Sequence, residues 1–345
     1  MKKIIFLIIA ICIGGAGAFG YLKYQQIFKP NVPQKLKNEF LFIPTGSTFS
    51  ELTENLYQSG FLIDSSAFLE AANLMKFNKD SKVKAGRFKI KNGWSNRKLI
   101  QKLRSGVQSP VKVVINAGRV VQDIVGKVSH SIESDSMELM DLFTDDTFLE
   151  ENGYSKETVM SLFIPNTYNM YWNTNPKTFF KRMKKEHDDF WKSKQRLTKA
   201  KQLGLTPIEV YTLASIVERE SNYKPERPII AGVYLNRLKK GIMLQADPTV
   251  VFATGDFSAR RILNKQLEVE SPYNTYKYAG LPPGPISLAS ISSIDAVLNP
   301  TDHNYLCFCA KPDNSGQHAF AKTLSGHNVN ANKFRKWLNK RKVMH

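Results

Sequence analysis

The first pattern along the chain is an unbroken apolar run. Ile4 to Leu22 carries no charge and is framed by Lys2, Lys3 and Lys23. Nineteen residues at ~1.5 Å each suffice to cross a hydrocarbon core, so the run predicts a transmembrane helix over residues 1–23. A cleaved signal peptide shares the basic start, and Gly14, Gly15, Ala16, Gly17 and Ala18 favour it. Its apolar region is usually shorter, however, and no clear small-x-small site precedes a polar start here. The run therefore reads as an uncleaved signal anchor. With Lys2 and Lys3 inside, everything from about residue 25 onward lies outside the cytoplasm, although Lys23, Lys29, Lys35 and Lys37 weaken the charge asymmetry.

Residues 24–40 follow as a basic linker with two prolines. The pattern over 41–110 then predicts strand, helix, helix, strand, helix. Thr48 and Glu51 form a capping box ahead of a helix carrying Phe49, Leu52, Leu56 and Tyr57. Ser66 to Phe77 repeats the helical period, Arg87–Ile90 reads as a strand, and Ser95–Leu103 as a closing helix. A connecting α/β segment over 111–152 opens with the β-branched run Val111–Ile115, turns at Asn116-Ala117-Gly118 and enters a helix through Val120–Val128. From Gly153 a last section runs to the C-terminus, residues 153–345. Phe163 to Tyr168 reads as an irregular connection. An amphipathic helix with Phe179, Phe180, Met183, His187, Phe190 and Trp191 on one side comes next. The fold class is α+β: a membrane helix, a small α+β module and a mixed α/β domain.

The best-marked helix starts at Thr206-Pro207-Ile208-Glu209, with a capping residue, a proline at the first helical position and a second capping box. It is predicted to run to about Asn222, with Val210, Leu213, Ala214 and Val217 on its apolar face. Glu218 and Glu220 sit about 200° apart around its axis, so they cannot act as one carboxylate pair. Glu218 has Ala214, Ser215, Ser221 and Asn222 as its neighbours one turn away. Glu220 has Ile216 and Val217 behind it and Leu213 two turns back. An apolar setting raises a carboxyl pKa, which suits a general acid near neutrality. Glu220 is thus the candidate acid, and Glu218 a supporting or alternative group. For an arbitrary amphipathic helix, two such glutamates are ordinary surface residues.

Composition narrows the picture only a little. Lysine plus arginine number 49 against 30 acids, a formal charge of +19, which favours polyanions such as nucleic acid, anionic lipid or an acidic wall polymer. No nucleic-acid module accompanies the charge, so no nucleic-acid partner is expected. Cys12 lies in the apolar run. Cys307 and Cys309 would share one face of a strand, where a mutual disulfide would be strained, and they read as two buried thiols. No cysteine–histidine spacing suggests a metal, and no phosphate loop suggests a cofactor.

A string of segments after the helix changes the odds. Asn236-Arg237-Leu238 and Met243-Leu244-Gln245-Ala246-Asp247-Pro248-Thr249 come first. Ser271-Pro272-Tyr273-Asn274-Thr275-Tyr276, Gly280-Leu281-Pro282-Pro283-Gly284-Pro285-Ile286, His318-Ala319-Phe320 and His327-Asn328 complete it. With the Val217-Glu218-Arg219-Glu220-Ser221 segment and the anchor, their order resembles the endolytic murein transglycosylase family, the YceG-like proteins. The resemblance implies Glu220 as the catalytic residue and a LysM-like first module. It implies peptidoglycan glycan strands as substrate and cell-wall synthases as possible partners. The implied reaction cuts the β-1,4 bond between N-acetylmuramic acid and N-acetylglucosamine, leaving a 1,6-anhydro end, with one carboxyl acting as acid and base. Ser221, Gln245, Asp247, Tyr273, Asn274 and Tyr276 are candidate sugar-binding residues; each is equally ordinary as a core or turn residue. His318 and His327 read as structural. Two alternatives stay open: a lysozyme-type hydrolase with Asp247 as second carboxylate, and a noncatalytic wall-binding scaffold.

Overall fold

A computed structural model describes residues 2–78, 83–258 and 262–341. The chain divides into two compact units, the first comprising residues 1–112, 131–134 and 169–175, the second 113–130, 135–168 and 176–345. Helices and small two-stranded sheets build both.

The first unit begins with helix α1 (Lys2–Phe28). Its segment Lys3–Phe28 is long and apolar enough to cross a membrane. The helix outlasts the apolar run, so residues 24–28, expected as linker, are helical. Its last turns are tied down: Asn96 Nδ2 donates to Gln26 O at 2.8 Å, Lys23 pairs with Glu70, and the Arg97 guanidinium sits 5.2 Å from the Phe28 ring centre. The residues after it are also built in rather than loose. Val32 is fully buried, and the Asn31 side chain accepts from Asp64 N and donates to Asp64 O and Asn96 Oδ1. Strand β1 (Phe40–Ile43), helices α2 (Phe49–Gln58) and α3 (Ser65–Leu74), strand β2 (Gly86–Lys89) and helix α4 (Asn96–Ser105) follow in the predicted order. β1 and β2 pair antiparallel, with Leu41 opposite Phe88. Leu41, Ile43, Leu52, Leu56, Phe68, Phe88, Leu99 and Leu103 make the core.

Strand β3 (Val111–Ile115), with which the chain enters the second unit, pairs with β4 (Asn166–Met170). β4 corrects the expectation of an irregular connection over Phe163–Tyr168. Its asparagines and threonine have turn-like composition, but Tyr168 and Met170 alternate inward as a strand requires. Helices α5 (Val121–Ser129), α6 (Ser136–Thr144), α7 (Asp146–Glu151), α8 (Pro176–Lys192) and α9 (Arg196–Leu203) surround a buried aromatic group that includes Phe143, Phe163, Phe179 and Phe180.

Helix α10 (Pro207–Glu220) is the axis of this unit. The capping box forms: Glu209 N donates to Thr206 Oγ1 at 3.2 Å and Thr206 N to the Glu209 carboxylate at 2.7 Å. Every residue from Val210 to Val217 is buried, so the helix is enclosed on all sides rather than amphipathic. It packs among α9, α11 (Arg227–Lys239), α12 (Asp247–Thr254) and α13 (Ile291–Leu298). Its polar side chains order the loop before α13: Ile286 N donates to Ser215 Oγ at 3.0 Å and Ala289 N to the Tyr211 hydroxyl at 3.2 Å. The hairpin β5 (Cys307–Ala310) and β6 (His318–Ala321), with Phe308 opposite Phe320, and helix α14 (Leu324–Lys340) complete the unit.

In the Pro-Gly-Pro turn before this loop, a Cβ on Gly284 would lie 2.0 Å from the Glu157 carbonyl oxygen, a backbone atom that cannot swing away. Gly284→Ala is therefore expected to cost more than ~2 kcal/mol. Urea unfolding of the full chain checks this, and an unchanged midpoint would show that the turn yields.

Candidate active site

Helix α10 ends at Glu220, two residues short of the predicted end, because Ser221 leaves the helix with extended backbone. The two glutamates therefore sit in the last turn, where the buried helix emerges, and their surroundings differ sharply.

Glu218 is saturated. Arg227, 3% exposed, donates Nη1 and Nη2 to its two oxygens at 2.9 and 3.1 Å. Ser293 Oγ donates at 2.7 Å, Ser290 N at 3.2 Å, and the Ser290 hydroxyl donates as well. Burial alone would raise this carboxyl. The Ser290 and Ser293 hydroxyls, the Arg227 charge and the Ser290 N–H outweigh it and hold the group below the ordinary value. Glu218 locks α10 to the start of α13 and does not line the cavity described next.

Among the described residues Glu220 has one hydrogen-bond partner, the Tyr234 hydroxyl, which donates to Oε1 at 2.5 Å. Tyr234 is buried on α11 with the Phe308 ring edge-on at 5.8 Å. Burial pushes the Glu220 carboxyl up to about 7; the Tyr234 bond opposes this and the charge of Asp247 adds to it. The residue borders a cavity of about 430 Å³, whose walls include Tyr234, Arg237, Gln245, Asp247, Tyr276, Cys307 and Phe308.

The candidate residues divide accordingly. Gln245, Asp247 and Tyr276 line the cavity with Glu220, and the Tyr276 hydroxyl donates to Asp247 Oδ1 at 2.5 Å. Tyr273 lies elsewhere, its ring tilted against Phe252 at 4.7 Å and lining a separate cavity of about 220 Å³. Asn274 is fully buried and spends its amide on Leu267 O and Val269 O, both at 2.9 Å, which leaves it no hand for a sugar. Ser221 is 4% exposed; its hydroxyl accepts from Tyr223 N at 3.1 Å and shapes the turn into α11. His318 and His327 both line the cavity. Cys307 and Cys309, expected as buried thiols, are half-exposed on the cavity wall and unpaired.

Two members of the site stand out little in the sequence: Tyr234 lies outside every motif quoted above, and Arg237 falls within Asn236-Arg237-Leu238 with no role implied for it. Tyr234 and Arg237 lie one turn apart on α11, and only that i, i+3 spacing on an otherwise apolar helix hints at a shared face. Arg237 fastens the cavity's two walls, donating to Leu306 O at 2.6 Å, Leu244 O at 2.8 Å and Met243 O at 3.0 Å. Gln245 beside this clamp sits in the left-handed region, at φ 49°, with its N–H on Thr275 O at 3.0 Å and its side-chain oxygen accepting from Arg237 Nη1 at 3.3 Å. Among the described residues, no cluster of side chains has the makings of a metal site.

The two glutamates should respond oppositely to amidation. Removing the Glu218 charge strands the buried Arg227, so Glu218→Gln should lose on the order of 3 kcal/mol of stability. Glu220 binds its proton more tightly folded than unfolded, so its contribution is complete in acid and disappears as pH rises through about 7. Between pH 5 and pH 8 the wild type should lose about 2 kcal/mol from this group, and Glu220→Gln should not. Denaturant unfolding at both pH values tests the pair; parallel curves for wild type and Glu220→Gln would contradict the perturbed carboxyl.

Residues 41–333 match the sequence model of the YceG-like family. A Bacillus subtilis (strain 168) protein named endolytic murein transglycosylase is 29% identical over 340 residues, covering 94% of this chain and 91% of that protein. A Streptococcus pneumoniae (serotype 2, strain D39) protein of the same name is 24% identical, covering 94% of this chain and 63% of its own length. The 2.6 Å crystal structure of a yceG-like protein from Listeria monocytogenes aligns over 84% of this chain and 97% of that chain. Its sequence identity is 29% and its TM-score 0.54.

Proposed function

The chain belongs to the YceG-like family, and from that premise we propose that it is an endolytic murein transglycosylase with Glu220 as its single general acid and base. The relatives' names supply the substrate class. The observation that carries the catalytic assignment is the Glu220 carboxyl itself, raised to about 7 by burial and facing an open cavity. A group so poised is protonated at the start of the reaction and is a competent base once it has given its proton away.

The reaction balances without water. Glu220 gives its proton to the oxygen bridging muramic C1 and the next sugar, and that C–O bond breaks. Positive charge develops at C1 and its ring oxygen. The muramic C6 hydroxyl attacks C1, and its proton passes to the Glu220 carboxylate, restoring the acid. The products are a 1,6-anhydro-muramic end and a free sugar hydroxyl. Tyr234 supports the cycle by donating to Glu220 Oε1, a bond that strengthens when the carboxylate forms. Asp247 and Tyr276, paired on the cavity wall, and Gln245 offer hydrogen bonds to sugar.

A water-consuming hydrolase is the second reading, favoured by one observation: the Asp247 charge reaches Glu220 within the same cavity. It would require Asp247 as nucleophile or base. The apolar N-terminal helix is assigned as the membrane anchor, with the catalytic unit outside the cytoplasm, where nascent strands and wall synthases lie. By the same resemblance, the strand–helix–helix–strand–helix module is LysM-like.

Digestion of purified glycan strands separates these readings. The wild type should release 1,6-anhydro ends by mass spectrometry, and Glu220→Gln should lose about 10²–10⁴-fold in turnover. Reducing ends would establish the hydrolase, and full activity of Glu220→Gln would remove Glu220 from the chemistry.

A further inference from the structure

The buried carboxylate of Glu226 spends both oxygens on one distant residue. Glu226 is 6% exposed and stands just before α11; its Oε1 accepts from His318 N at 2.8 Å and its Oε2 from His318 Nδ1 at 3.0 Å. A carboxylate in such a place is costly unless fully engaged. Anchoring the β5–β6 hairpin needs only the backbone bond, so the second bond has another consequence. With Nδ1–H committed to Glu226, the neutral ring presents Nε2 as an acceptor. The Phe308 ring, edge-on at 5.3 Å, braces the imidazole. His318 lines the Glu220 cavity and keeps 14% of its side chain exposed. Among the described residues Nε2 has no hydrogen-bond partner. His327, on the same cavity, has a buried Nδ1 that also lacks one. A cavity with unpartnered ring nitrogens on its wall is fitted to a ligand that carries hydroxyl and amide groups.

We infer that His318 is a substrate-contacting residue whose Nε2 accepts a hydrogen bond from a hydroxyl or amide N–H of the glycan, with Glu226 as the positioning residue that fixes its tautomer and aim. The inference rests on the glycan reading above. It assigns His318 to binding rather than proton transfer, and it differs from a structural latch in a testable way.

Asparagine carries its amide near the place of Nδ1, so His318→Asn keeps a donor for Glu226 and deletes Nε2. It should lower kcat/KM on glycan strands at least tenfold, mainly through KM, with Tm held within about 2 °C. Glu226→Gln should lose activity in the same direction. Activity of His318→Asn within twofold of wild type would reduce the dyad to a latch and overturn the inference. If the variant does not fold, nitrogen-15 spectra of Glu220→Gln titrated with a GlcNAc–MurNAc tetrasaccharide decide: the His318 Nε2 resonance should move and Nδ1 should not. Saturable binding with Nε2 unmoved would also overturn it. Failure of the glycan reading is seen separately, as absence of turnover in the wild type and of tetrasaccharide binding in Glu220→Gln, and would take this inference with it.

Discussion

A carboxyl group at the end of a fully enclosed helix is the constraint on which the second unit is organised. Water solvates a carboxylate far better than a protein interior does, so a glutamate left where α10 emerges must be neutralised, paired or kept protonated. Both of the first two remedies are spent on Glu218, through Arg227, Ser290 and Ser293. Glu220 receives a single hydroxyl, and its proton becomes the remaining means of avoiding an unfavourable charge. The difference between the neighbours comes from the fold around them. One points to the N-terminus of α13, a natural seat for negative charge, and the other to the Tyr234 ring and an open cavity.

The same economy appears in the supporting residues. Arg237 donates to three backbone carbonyls on the segments that form the cavity's walls, so the loop that carries Gln245 into the start of α12 at Asp247 is held by side-chain bonds. Thr275 repeats this from the other side, accepting from Gln245 N and Ala246 N. Asn274 fixes the turn that presents Tyr276. Several conspicuous polar residues of the motif-rich region thus act on backbone. The surfaces they leave for a ligand are fewer and better defined than the motifs suggest.

The cavity joins three kinds of functional group. Glu220 brings a carboxyl raised by burial, the Asp247–Tyr276 pair and Gln245 bring hydrogen-bonding groups, and the β5–β6 hairpin forms part of one wall with Phe308 and His318. A polysaccharide needs such a mixture, because its rings present apolar faces and its edges present hydroxyls and amides.

Local sequence determined much of this. The apolar run, the two capping boxes at Thr48 and Thr206, Pro207 and the β-branched run at Val111–Ile115 each encode their elements through interactions a few residues long. Neighbours one turn away also suggested that Glu220 and Glu218 differ, but the partners that separate them, Arg227, Ser293 and Tyr234, come from farther along the chain. What lay beyond that range needed the folded chain. Tyr234 reaches Glu220 across 14 residues, and Glu226 meets His318 across 92, separations at which no periodicity operates. β4 escaped notice because its pairing partner, rather than its composition, makes it a strand. Tyr273 and Tyr276, three residues apart in one motif, line different cavities because the turn fixed by Asn274 sends their rings apart. Sequence set which side chains were available and which helices carried them; the tertiary structure decided which of them meet, since packing at a distance is a property of surfaces that exist only once the chain has folded.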